Sequence, residues 1–307
     1  MIPSFLTVCF FACSAITGTR VARLFGGTEG NFWRLCVATT ALALFAHTFG
    51  KGLSGPGFPI LLISGIIGFG VGDIALFHGY QRIGSRLTIL LVQCLAAPFA
   101  AMTEWIWLKN RMTLAEIFWG LLILCGVGLA LSPDKKLNLT RKTIVPGILL
   151  GVVAAYCQGF GAVLSRHADV ISKAASHPLD GITTAYQRII GGVLVTGIFL
   201  LFVKRRHLVS PGSISHPAEG KSAIWKKGWW LVVLNGLAGP TFGVSCYQWA
   251  LSQERTGVVL PIVALTPLAV MPLSMYFEKE KPSLHSIIGG VIAVAGAIGL
   301  TQVAMGR

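Results

Sequence analysis

The chain has 307 residues, 54% of them apolar, with 37 Gly and only 12% charged residues. A soluble globule of this size exposes too much surface to hide that much apolar area, so lipid must cover the surplus, and a soluble enzyme or binding domain is excluded. The 25 Lys and Arg outnumber the 11 Asp and Glu, but most lie in short gaps between long apolar runs. There they orient helices and meet anionic headgroups, so the basic excess does not indicate nucleic-acid binding.

A helix needs about 20 apolar residues to cross the hydrocarbon core. Ten segments qualify, near 2–19, 31–49, 58–79, 87–108, 114–131, 145–164, 182–203, 229–250, 258–277 and 285–304. The first counts as a span and not as a signal peptide, because no Lys or Arg precedes Arg20 to form a positive leader. Most connections are short, which makes consecutive helices antiparallel neighbours. The exception is 204–228, a polar stretch with Lys204, Arg205, Arg206, Pro211, Gly212, Lys221, Lys226 and Lys227, read as a surface loop. The seven cysteines all fall in apolar segments without CxxC spacing. They read as small packing residues, and no disulfide framework, metal or cofactor is expected.

The halves echo each other. Trp33-Arg34 matches Gln187-Arg188, and Ala97-Pro98 matches Thr266-Pro267. Thr113-Leu114, Ile117, Gly120 and Gly126 recur at the same internal spacing as Ser283-Leu284, Ile287, Gly290 and Gly296. Five spans is an odd number, so the second half enters the membrane from the opposite side. The expected fold is therefore all-α and integral to the membrane, with ten transmembrane helices as two inverted five-helix repeats. Residues 1–131 form the first repeat, 132–144 a connecting loop and 145–307 the second repeat.

With these residues the sequence resembles the EamA-type members of the drug/metabolite transporter superfamily over nearly its whole length. An Arg lies early in the second helix of each repeat (Arg34, Arg188) and a small residue closes the third (Gly79, Ala250). A mid-helix Pro follows in the fourth (Pro98, Pro267), and the fifth is Gly-rich. The acid that the family usually carries before the fifth helix is present as Glu280, while Asn110 stands at the first-half position. The resemblance implies a secondary transporter or exporter of small metabolites or drugs in the plasma (inner) membrane of a prokaryote. Its expected partners are a small-molecule cargo and the bilayer, with a monomer as the plausible state.

An ionisable side chain within a span needs a partner, a watery cavity or a function. Asp73, in Gly70-Val71-Gly72-Asp73, is the sharpest case, since the matching second-half position is apolar, near Val244. It is read as a transport-path or proton-coupling group, with a structural salt bridge or an interfacial carboxylate as the alternatives. Helix direction puts Arg34 and Asp73 at similar depth on consecutive helices, so they are expected to pair. Arg188, inverted to the other side, has Glu104 as its expected partner. His78, one turn past Asp73, fits the interface as well as the path. Gln93, Tyr156, Gln158, Asn235, Tyr247 and Gln248 lie on helices that surround the central cavity in related transporters. The resemblance makes them candidates for cargo hydrogen bonding, with polar glue between helices as the other reading. Pro98 and Pro267 are possible flexing points or static kinks.

Two rival functions arise from the same residues. Gly-Val-Gly-Asp matches the GxGD pattern of intramembrane aspartyl proteases, but that chemistry needs a second aspartate to share a proton, and no other Asp lies in a span. The chain is therefore not expected to be an enzyme. A receptor or scaffold without transport is the second alternative. No Walker lysine motif is present, so the expected energy source is a gradient, protonic if Asp73 titrates. Lys and Arg on the face opposite the amino terminus outnumber those on the amino-terminal face by more than twofold. Positive-inside bias then puts both termini outside, whereas the family arrangement would put them in the cytoplasm.

Overall fold

The structure, a computed structural model, describes residues 1–109, 112–130, 141–209, 218–278 and 284–305. The expectations for Asn110, Glu280 and most of 132–144 fall outside the described residues. All regular structure among the described residues is helical. In chain order the helices are α1 (Ile2–Phe25), α2 (Gly27–Thr48), α3 (Phe58–Gly65), α4 (Asp73–Trp107), α5 (Leu114–Ala130), α6 (Arg141–Ala174) and α7 (Gly181–Val209). They continue with α8 (Ala218–Gly236), α9 (Val244–Gln253), α10 (Thr256–Val263), α11 (Thr266–Glu278) and α12 (Leu284–Met305). A π-helical segment, Ile66–Gly72, joins α3 to α4, and a second, Leu237–Gly243, joins α8 to α9.

The rods outrun the apolar runs that mark them. Helix α6 begins at Arg141 and ends at Ala174, because a backbone that satisfies its own hydrogen bonds can continue unbroken from hydrocarbon into headgroups. The same effect corrects the reading of 204–228 as a loop. Helix α7 runs to Val209 and α8 starts at Ala218, so the described part of this polar stretch is helical. Tight reversals rest on glycine. Gly26 (φ 81°) separates α1 from α2, and Gly84 (φ 76°, ψ 168°) breaks α4 into two legs. Neither backbone conformation suits a residue with a Cβ.

Among the described residues, six helices are long and apolar enough to cross a membrane: Ile2–Phe25, Phe58–Gly84, Thr88–Trp107, Arg141–Ala174, Gly181–Arg205 and Thr256–Leu273. Helix α2 carries Glu29, Asn31 and Arg34 in its first two turns, which lowers its mean hydropathy. The distribution of polarity is inverted relative to a water-soluble protein. Leu44, Leu201 and Val291 are each about two-thirds or more exposed, at 71%, 70% and 66%, while Asn31, Glu116, Gln187 and Asn235 are fully buried. Lipid accepts the first group and helix neighbours must satisfy the second.

Packing depends on small residues. Helices α5 and α12 meet where a Cβ on Gly126 would lie 2.7 Å from the Gly289 carbonyl, and one on Gly296 would lie 3.0 Å from the Ile123 nitrogen. In the middle of the molecule α1, α2, α4, α6, α7 and the two π-helical segments surround a shared interior. An extra residue in a π turn rotates the helix beyond it by about 100° relative to an uninterrupted α-helix. That rotation sets which side of α4 and α9 looks inward.

Candidate functional site

The interior holds a cavity of about 140 Å³, room for on the order of ten waters or a small organic molecule. Its polar wall comes from both halves: Ser14, Arg34, Asp73, Tyr80, Gln93, Gln158, Arg188, Tyr247 and Thr266. The rest is largely apolar, including Phe11, Phe69, Leu76, Ile89, Val92 and Val244.

Arg34 is the eighth residue of α2 and Arg188 the eighth of α7, so each lies about 10 Å along its helix from where that helix begins. Arg34 has three contacts. Its Nη2 donates to Asp73 Oδ2 at 2.5 Å, its Nε donates to Asn31 Oδ1 at 2.9 Å, and its guanidinium carbon sits 4.5 Å from the centre of the Phe77 ring. The side chains of the pair are 6% and 16% exposed. Asp73 is the first residue after the π-helical segment Ile66–Gly72, and that segment turns its carboxylate toward α2 and the cavity.

Arg188 is differently placed. It is 5% exposed, its guanidinium lies over Phe69 at 5.3 Å, and among the described residues its Nε has no acceptor. The expected pairing with Glu104 does not form. Glu104 sits instead 3.7 Å from Arg166 Nε, too long for a hydrogen bond but close enough for charge attraction. Glu104 lies near the end of α4, beside the end of α6, where Arg166 also donates to the carbonyls of Leu251 (3.0 Å) and Glu254. Arg188, near the cavity, is too deep to compete for it.

The predicted path residues separate into two sets. Asp73, Gln93, Gln158 and Tyr247 line the cavity, and Gln158 Nε2 donates to Gln93 Oε1 at 3.4 Å. The others do not. Asn235 Nδ2 donates to the Ser14 carbonyl at 2.7 Å and to Thr17 Oγ1 at 2.9 Å, which ties α8 to α1. His78 Nε2 is 3.1 Å from Thr28 Oγ1, away from the cavity. Tyr156 is 48% exposed and stacks on Phe160 at the outer surface. Gln248 is buried but does not line the cavity. Pro98 sits inside an unbroken leg of α4, whereas Pro267 follows a break at residues 264–265 between α10 and α11.

Sequence reasoning missed Ser14, Tyr80 and Thr266 as lining groups, and no local pattern marks them. It also passed over Glu116, which a pattern does mark. Thr113-x-x-Glu116 is a capping box: Glu116 Oε2 accepts from the Thr113 N–H at 2.7 Å, and Oε1 accepts from Arg255 at the start of α10. Among the described residues no cluster of three His, Cys, Asp or Glu has the geometry of a metal site.

Comparison with known proteins agrees with this architecture. A crystal structure of a protein superposes with a TM-score of 0.70 at 16% identity, covering 99% of this chain and 97% of that chain, and so shares the fold. No curated protein matches. The model of the EamA-like transporter family matches residues 1–132 and 145–302. The apolar helices, the buried charges around a central cavity and this match over both halves establish that the chain is an integral membrane protein belonging to the EamA-like transporter family.

Proposed function

We propose that the protein is a secondary transporter of small metabolites or drugs, built as ten transmembrane helices in two inverted five-helix repeats and working by alternating access. The observation that carries this reading is the cavity, which is lined from both halves and has an inward-facing Arg from each. Buried charge is costly in a bilayer, and a membrane protein keeps it where cargo or ions need it.

Paired features support the inverted repeat. The π-helical segments Ile66–Gly72 and Leu237–Gly243 occupy matching places. Ser64 donates to the Gly161 carbonyl at 2.6 Å, and Asn235 at the matching position donates to the Ser14 carbonyl at 2.7 Å. Each tie joins the third helix of one half to the first of the other. A Cβ on Gly68 would lie 3.0 Å from Arg188 Nη2, and one on Gly239 3.5 Å from Arg34 Nη1. The two stretches matched by one family description, 1–132 and 145–302, point the same way. Two near-equivalent halves supply the two near-equivalent states that alternating access requires.

In this mechanism Asp73 alternates between Arg34 and a proton, coupling cargo movement to the proton gradient across the plasma membrane of a prokaryote. The protease alternative loses support because Asp73 faces the Arg34 guanidinium, and a catalytic dyad needs a second carboxylate there.

Reconstitution into proteoliposomes with an imposed pH gradient tests the proposal. Saturable uptake of at least one cargo class is expected. Asp73→Asn should abolish flux or detach it from the gradient while the protein stays inserted. No flux for amino acids, sugars, nucleotides or organic ions would favour a receptor. Normal flux and an unchanged pH profile in Asp73→Asn would make Asp73 structural.

A further inference from the structure

The two halves carry the same arginine but not the same acid. Arg34 faces Asp73, whereas the position in the second half that matches Asp73 is Val244, an apolar residue in the cavity wall. Arg188 therefore reaches the cavity without a carboxylate of its own, and its Nε lacks an acceptor among the described residues. Beside the same cavity the Tyr247 hydroxyl is also buried, with the residue 4% exposed, and it too has no partner among the described residues. Two residues of one cavity wall that each carry an unsatisfied buried donor need an acceptor, and a buried guanidinium selects an anionic one.

We propose that Arg188 and Tyr247 form an anion subsite that binds the carboxylate of a small organic monoacid, the cargo of the transporter proposed above.

Charge and shape both favour this class. Two guanidiniums against one carboxylate leave the cavity wall one net positive charge, which a monoanion neutralises. A doubly charged phosphate would add a negative charge beside Asp73. The planar fork of Arg188 matches the two oxygens of a carboxylate. The apolar body of the acid then lies against Phe11, Leu76, Ile89, Val92, Ala154 and Val244, which offer it no competing hydrogen bonds. While it is paired with Arg34, as at 2.5 Å here, the Asp73 carboxylate disfavours a cargo that carries a second anionic group. The subsite lies in the inward-facing wall of α7 and α9, and it rests on the transporter reading only for its role as a cargo site.

Binding can be read without transport. The purified full-length protein is titrated at constant ionic strength with benzoate, benzamide, benzylamine and inorganic phosphate, following tryptophan fluorescence and the melting temperature. Ligand linkage predicts a saturable rise in melting temperature with benzoate and none with benzamide. Arg188→Gln should weaken benzoate binding by about tenfold or more, Arg188→Lys by less, and Tyr247→Phe by about three- to tenfold, because each loses a different share of the donors. If Arg188→Gln cannot be purified in folded form, Arg188→Lys and Tyr247→Phe decide the matter. Unchanged benzoate affinity in both overturns the subsite. It is equally overturned if benzamide or benzylamine binds as tightly as benzoate, or if phosphate displaces benzoate at equal concentration. Benzoate binding with no proteoliposome flux of any cargo keeps the subsite and overturns the transporter reading. Flux of another cargo with no benzoate binding does the reverse.

Discussion

Removing one partner of the Arg34–Asp73 pair should cost much more than its share of the pair. A buried ion left without its counter-charge typically costs about 3–5 kcal/mol. Two features of the site lower that figure. Asp73 is 16% exposed and faces a cavity, and Arg34 keeps both its bond to Asn31 and its place over Phe77. We expect Asp73→Asn to lose about 2–3 kcal/mol. Arg34→Gln should lose a similar amount, since Asp73 would be left with only the more distant cation of Arg188. In the double variant no charge is stranded, so its loss should fall short of the sum by about 2 kcal/mol. Reversible unfolding of the four proteins in mixed detergent micelles, followed by far-ultraviolet circular dichroism, measures this coupling. Losses that add within about 0.5 kcal/mol would show that the two side chains are energetically independent despite their short contact.

Three further outcomes concern other parts of the molecule. Gly126→Val should destabilise the protein by about 1–3 kcal/mol or more by forcing α5 from α12, because a Cβ there already meets the Gly289 carbonyl at 2.7 Å, whereas Gly128→Ala, where a Cβ meets nothing within 4 Å, should be nearly neutral; thermal melts of both separate the cases. Arg166 ties α6 to α9 through the Leu251 and Glu254 carbonyls and faces Glu104, so Arg166→Ala should loosen that end. In a cysteine-free background, labelling of Thr266→Cys by a membrane-impermeant thiol reagent from the amino-terminal side should then rise several-fold, and an unchanged rate would refute the tie. If the charge imbalance governs insertion, a carboxy-terminal fluorescent reporter that matures only in the cytoplasm stays dark, and a bright fusion would put the termini inside.

The sequence alone determined that this protein lives in lipid, because an apolar excess of this size leaves a soluble chain no physical option. It also determined the positions of the apolar runs and the echo between halves, since Arg34 and Arg188, like the recurring Gly spacing near Gly126 and Gly296, sit at fixed offsets from helix starts. The depth of Arg34 and Asp73 was legible for the same reason: distance along a helix is a count of residues. Rotation about the helix axis was not. A helix that is apolar all round carries no stripe to say which side faces protein, so Tyr156 and Tyr247 read alike, although one stacks at the outer surface and the other borders the cavity. The π-helical segments add to this, because each shifts the rotation of everything after it without leaving a signature beyond scattered glycines. Pairing across helices depends on that rotation. Only the tertiary structure decided that Glu104 lies with Arg166, and that Arg188 turns to the cavity with no carboxylate paired to it among the described residues.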